Sequence, residues 1–89
     1  MITIKSSTTE EVFTSKANVI AVVLVGGTAN SSVALNDSAS GSGTDKIKLK
    51  ALANTSESIV FPKDVPVVFD TAIYSTIAGS GAEVYLYLE

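Results

Sequence analysis

Ala17-Asn18-Val19-Ile20-Ala21-Val22-Val23-Leu24-Val25 is the most apolar stretch of the chain, and its reading decides the fold. Lys16 precedes it and Gly26-Gly27 follow it. Its length, its β-branched content and the glycines at its end favour a strand over a helix. Strict alternation puts Val19, Ala21, Val23 and Val25 on one face and Ile20, Val22 and Leu24 on the other. A strand of a monomeric two-layer sandwich has one wet face, yet both faces here are apolar. Leaving Ile20, Val22 and Leu24 in water forfeits about 1.5–3 kcal/mol each, against a typical total stability of about 5–15 kcal/mol. The economical expectation is burial of that second face in a subunit interface, which makes the protein a homo-oligomer. The competing expectation is that residues 1–14, with Ile2, Ile4, Val12 and Phe13, fold over the face.

The same period-2 pattern recurs on both sides of this stretch. Ile2 and Ile4 alternate with Thr3 and Lys5, and Val12-Phe13-Thr14 is a second short candidate. Downstream, Ser32-Val33-Ala34-Leu35-Asn36 precedes ten turn-forming residues, 36–45, that read as a mobile loop. Lys46-Ile47-Lys48-Leu49-Lys50-Ala51 alternates cleanly, with its lysines on one face. Ser58-Ile59-Val60-Phe61 stops at Pro62, and Val65-Pro66-Val67-Val68-Phe69 belongs at a sheet edge because Pro66 cannot donate to a ladder. Residues 72–78 and 82–88 flank Gly79-Ser80-Gly81, which reads as a hairpin turn. In the last run Val84, Leu86 and Leu88 share one face, and Glu83, Tyr85, Tyr87 and Glu89 the other. About eight short strands at roughly ten-residue spacing predict an all-β fold, a small antiparallel β-sandwich or jelly-roll-like domain. We expect one domain over 1–89, with residues 1–15 as a candidate N-terminal arm.

Composition narrows the function. The 89 residues include 6 Lys, no Arg, 9 acidic residues, no His, no Cys and no Trp, for a net charge of −3. Without His or Cys there is no Ser-His-Asp triad, no thiolate, no disulfide and no ordinary zinc, copper or haem site. Without Arg the chain lacks the planar, bidentate grip on phosphate, and its acidity argues against nucleic acid as a partner. The start lacks the basic and apolar regions of a signal peptide, and Val19 to Val25 is too short to span a bilayer. A soluble protein made in the cytoplasm, with no membrane partner, is the expectation.

Candidate chemistry is weak throughout. Asp37 and Asp45 bracket a Ser/Gly loop, but Ala39 and Gly41 occupy positions where a calcium loop needs oxygen ligands. Neither Gly-Ser-Gly triplet carries the Lys-Ser/Thr of a phosphate loop. Asn30, Asn36 and Asn54 begin glycosylation-type triplets, as chance provides in so Ser/Thr-rich a chain. Asp64, Asp70, Glu57 and Glu83 show no pairing suited to glycoside hydrolysis. We therefore expect no enzyme, no metal and no cofactor. The candidate site is an interface: Ile20, Val22 and Leu24 from the apolar strand, Tyr85 and Tyr87 from the last strand, and the stripe Lys46, Lys48 and Lys50. The lysines read either as a contact with an acidic surface or as a solvated face that discourages edge-to-edge aggregation. The tyrosines read either as interface or sugar-stacking groups or as ordinary cross-strand partners.

Over 16–89 the linear pattern resembles a class of small tailed-phage virion proteins. The residues that carry the resemblance are Val23-Leu24-Val25-Gly26-Gly27-Thr28, Val33-Ala34-Leu35-Asn36-Asp37, Val60-Phe61-Pro62, Val68-Phe69-Asp70-Thr71 and the closing Gly79-Ser80-Gly81-Ala82 before Val84-Tyr85-Leu86-Tyr87. The chain departs from that pattern at Ala72-Ile73, where Gly-Leu is common. The resemblance implies a capsid decoration or cement protein, or a related head-fibre or tail-associated module, of β-sandwich fold. It further implies a homotrimer on the virion, with the phage major capsid protein as partner and a bacterial host cell as the place of synthesis. The alternative is a carbohydrate- or receptor-binding module with Tyr74, Tyr85 and Tyr87 as stacking groups.

Overall fold

Runs of Val, Ile and Thr separated by Gly, Asn and Ser become strands in the computed structural model, which describes residues 1–62 and 64–89. In chain order these are β1 (Ile2–Ser6), β2 (Glu10–Phe13), β3 (Ala17–Val25), β4 (Ser31–Asp37), β5 (Thr44–Ala51), β6 (Ser56–Val60), β7 (Val67–Phe69), β8 (Ile73–Ala78) and β9 (Glu83–Leu88). They form two packed antiparallel sheets. The five-stranded sheet has the order β1-β9-β3-β6, with β7 also pairing β3, and the four-stranded sheet has the order β2-β8-β4-β5. The expected β-sandwich is thus the observed fold. Pro66 lies just before β7, which pairs only with β3.

The chain crosses between sheets at most of its turns. Among the described residues only β4 and β5 form a hairpin of consecutive strands. Gly79-Ser80-Gly81 is therefore an arch and not the expected hairpin turn: β8 pairs β2 and β4, while β9 pairs β1 and β3. Gly79 and Gly81 take φ of +109° and +77°, a left-handed backbone that swings the chain from one layer to the other. Gly27 packs under this arch, where a Cβ would overlap the Ser80 carbonyl, and Thr28 N–H donates to Ser80 O at 3.0 Å.

Inward side chains of both sheets make one core. Val19, Val22, Leu24, Val84 and Leu86 come from the five-stranded sheet, and Val33, Leu35, Ile47 and Ile73 meet them from the four-stranded one. Ser75 is also fully buried, between Leu35 and Glu10 in the ladder, and its Oγ finds no hydrogen-bond partner. A buried hydroxyl without a partner costs about 1–3 kcal/mol. Ser75→Ala should therefore raise the thermal midpoint by about 4–8 °C for each kcal/mol recovered. A lowered midpoint in calorimetry would mean that the hydroxyl is satisfied.

A bulge in β3 corrects the face assignment made from alternation. Val19 pairs with Leu88, but the next partner, Tyr87, faces Ala21, so Ile20 is an extra residue. Beyond it the phase is reversed: Val22 and Leu24 are fully buried in the core, and Val23 and Val25 lie outside with Ile20 and Ala21. The bulge sits where the other neighbour of β3 changes. β7 pairs Ala17 to Val19 and β6 pairs Ala21 to Val25, while Phe61 N–H donates to Ile20 O at 2.8 Å. One added residue at such a junction accentuates the twist and re-aims side chains.

The N-terminal segment is not a free arm. β1 is an edge of the five-stranded sheet and β2 an edge of the other. Residues 2–6 pair beside β9, so the segment extends the sheet without covering its outer face.

The loop expected to be mobile is pinned from below. β4 continues to Asp37 and β5 begins at Thr44. Asn36, 4% exposed, donates to Gly43 O at 2.9 Å and Asp45 Oδ1 at 2.8 Å, and its Oδ1 accepts from Gly43 N–H at 2.9 Å and Ser38 Oγ at 2.6 Å. Asp37 beside it accepts the Thr71 N–H at 2.9 Å and the Asp70 N–H at 3.0 Å, clamping the β7–β8 turn to the end of β4. These backbone donors, with Lys46 nearby, hold its carboxyl below the ordinary value of 3.8. A depressed carboxylate stabilises the fold above its unfolded-state pKa and loses that contribution as pH falls through the lower, folded value. Acid unfolding below about pH 4 should accordingly be shallower in Asp37→Asn than in the wild type. Identical acid limbs in pH-jump denaturation would contradict the clamp.

Candidate interaction surface

The two outer faces of the sandwich differ in chemistry. On the four-stranded sheet the ladder pairs Ser32 with Lys50 and Ala78, and Ala34 with Lys48 and Thr76, a polar surface suited to water. On the five-stranded sheet it pairs Ala21 with Tyr87 and Val60, and Val23 with Tyr85 and Ser58. That second face is apolar because the bulge adds Ile20 beside Ala21 at its centre.

These side chains shape an open hollow of about 660 Å³. Ile20, Ala21 and Val23 of β3 form its floor. Tyr87 and Glu89 stand along one side, Ser58, Val60 and Phe61 along the other, and Met1 at the rim. Val60 and Met1 are 75% and 81% exposed. Ionic groups are confined to the margin. Lys5 bridges Glu83 at 2.8 Å and lies 5.9 Å from the Tyr85 ring centroid, and the Glu83 carboxylate raises the Lys5 ammonium above its ordinary pKa. An exposed apolar surface with a polar rim marks a contact area for a partner or ligand.

The structure brings together only some of the candidates read from sequence. Ile20 and Tyr87 line the hollow, and Tyr85 shares its face. Val22 and Leu24 are withdrawn from any interface, because the bulge turns them into the core. The lysine stripe is broken as well. A register shift leaves Lys46 without an opposite residue on β4, and its Nζ donates to Val68 O of β7 at 2.8 Å and lies 3.6 Å from Asp37 Oδ2. Lys46 thus ties the two sheets together, while Lys48, 3.7 Å from Asp45, and Lys50 stay on the polar outer face. Tyr74 pairs with Glu11 and Asn36 on the four-stranded sheet, so the three tyrosines do not share one platform.

Alternation missed Ala21 and Val23, which the bulge alone places outside. The signal for Val60 and Phe61 was present, since both end an apolar run at Pro62. Among the described residues no group of three His, Cys, Asp or Glu could hold a metal ion. Among the described residues no helix is long and apolar enough to cross a membrane. No protein-family model, no curated protein and no solved structure matches the chain.

Proposed function

We propose that this chain is a non-enzymatic structural protein that self-associates and adds to an assembled phage particle as a capsid decoration or cement protein. The observation that carries the reading is the uncovered apolar outer face of the five-stranded sheet, centred on Ile20, Ala21 and Val23. Burying such side chains is worth about 25 cal/mol per Å² of apolar surface, and residues 2–6 extend the sheet beside β9 without covering them. The pattern likeness to small tailed-phage virion proteins supplies the particle and its major capsid protein as the partner. The polar face with Lys48 and Lys50 remains for water. A homo-oligomer bound at repeated sites gains effective concentration with each geometrically matched contact, so weak single contacts suffice to brace a shell.

A glycan-binding reading retains Tyr85 and Tyr87, adjacent on the outer face, but not Tyr74. It requires sugar affinity from the purified protein, whereas a cement protein binds assembled shells.

The test compares solution mass by light scattering for the wild type and Val23→Lys. Val23 lies on the outer face, so the lysine leaves the core intact and the circular dichroism unchanged. Loss of mass in the variant at concentrations where the wild type is associated is the expected result. Equal masses would remove this face from the interface.

A further inference from the structure

We propose that two copies of this chain pair edge to edge through β6, antiparallel and about a two-fold axis at Ser58. The pairing rests on the self-association proposed above and names a second contact, beside the apolar face.

β6 is the least protected of the described sheet edges, with Glu57 as its one charge. Native edges are protected by lysines, proline, bulges or shortness. β5 carries Lys46, Lys48 and Lys50 and a register shift. β2 has four residues, a register shift and two glutamates. β7 has three residues and follows Pro66, and β1 carries Lys5. β6, Ser56-Glu57-Ser58-Ile59-Val60, pairs with β3 without a shift, has no Lys or Pro, and is exposed at all five positions.

The ladder fixes which of its groups are free. Gly26 N–H donates to Thr55 O and Phe61 N–H to Ile20 O, so both ends of the β3–β6 register are hydrogen-bonded pairs. Alternation of an antiparallel ladder then assigns Glu57 and Ile59 to β3 and turns the N–H and C=O of Ser56, Ser58 and Val60 to the open edge. With the two-fold axis at Ser58, Ser58 faces its own copy and Ser56 faces Val60 of the second copy. All the free groups pair, giving about six hydrogen bonds, and each Glu57 lies opposite an Ile59. Moving the axis to Glu57 sets two carboxylates face to face, which is unfavourable, and moving it to Ile59 leaves Ser56 unpaired.

A two-fold axis perpendicular to the sheet keeps both outer faces on the same side. Since Ser58 and Val60 form one wall of the hollow, the two hollows join across the seam into one broad apolar surface. An assembly that uses this contact has an even number of copies, in place of the trimer that the resemblance implies.

The test is Ser58→Pro, read by light scattering and by residue-resolved amide exchange on the full chain. Proline is tolerated at this position because the lost N–H points away from β3, and its ring blocks the second strand. Slow exchange at Ser56, Ser58 and Val60 in the wild type is expected. In the variant the mass should halve, with a dissociation constant raised about thirtyfold or more. Ser58→Lys, which sets two lysines together at the axis, should act the same way and guards against misfolding of the proline variant. An associated wild type whose β6 edge amides exchange freely, and whose mass both variants retain, would overturn the edge contact while leaving self-association standing. A wild type that is monomeric at every concentration would overturn both.

Discussion

Leu24→Ala is expected to lower the unfolding free energy by about 2–5 kcal/mol, the usual cost of a large-to-small change in a packed core. The equivalent truncation one residue earlier, Val23→Ala, should cost under about 1 kcal/mol in the free chain. Leu24 is fully buried against Val84 across the ladder, whereas Val23 faces outward beside Tyr85. With a typical total stability of about 5–15 kcal/mol, the first change removes a large fraction of the whole. Uninterrupted alternation along β3 predicts the opposite for these two residues, with Leu24 on the outer face. Urea denaturation of both variants decides the matter, and similar or inverted costs would move the bulge away from Ile20.

Asn36→Ala should be the most damaging polar substitution in the molecule, at about 1–3 kcal/mol for each buried group left without a partner. Its side chain alone satisfies both the N–H and the C=O of Gly43 and also contacts Ser38 and Asp45. Removing it frees the loop 38–43, so faster exchange of the Gly43 amide should accompany the loss in thermal midpoint. Asn36→Asp keeps the acceptor for Gly43 N–H but sets a carboxylate against Asp45. That variant should be weak at neutral pH, where the two carboxylates repel each other. A midpoint unchanged in both variants would show that the loop holds itself.

These two residues also mark where sequence reasoning reached and where it stopped. Strand existence was legible at almost every position, because period-2 runs such as Lys46 to Ala51 and Glu83 to Leu88 stand between clear turn residues. The two-layer fold was legible for the same reason. Phase was not legible in β3. A bulge within Val19-Ile20-Ala21 changes no residue type, and every β3 side chain after Asn18 is apolar, so no polar position beyond the bulge reports the slip. Lys46 was lost to the same effect, since its departure from the lysine stripe depends on a register shift opposite Leu35 and Asn36. Gly79-Ser80-Gly81 has the chemistry of a tight turn, but strand pairing is a long-range property that three residues cannot encode. The pinned loop was hidden because its anchor, Asn36, looks like one more turn former.

The candidate surface was half legible. Two apolar faces on one strand pointed to an apolar outer surface, and an apolar outer surface is present, although its members are Ala21 and Val23 where alternation named Val22 and Leu24. The outer face stays apolar under this correction because a one-residue slip exchanges the faces of a strand that is apolar on both.

Self-association is decided by the solution mass across a hundredfold dilution series, measured by light scattering coupled to size exclusion. A particle of at least two chains of 9.2 kDa each, stable through the series, is the expected result. A single chain at every concentration would contradict it, leaving the hollow around Ile20 and Val23 without a second copy to cover it.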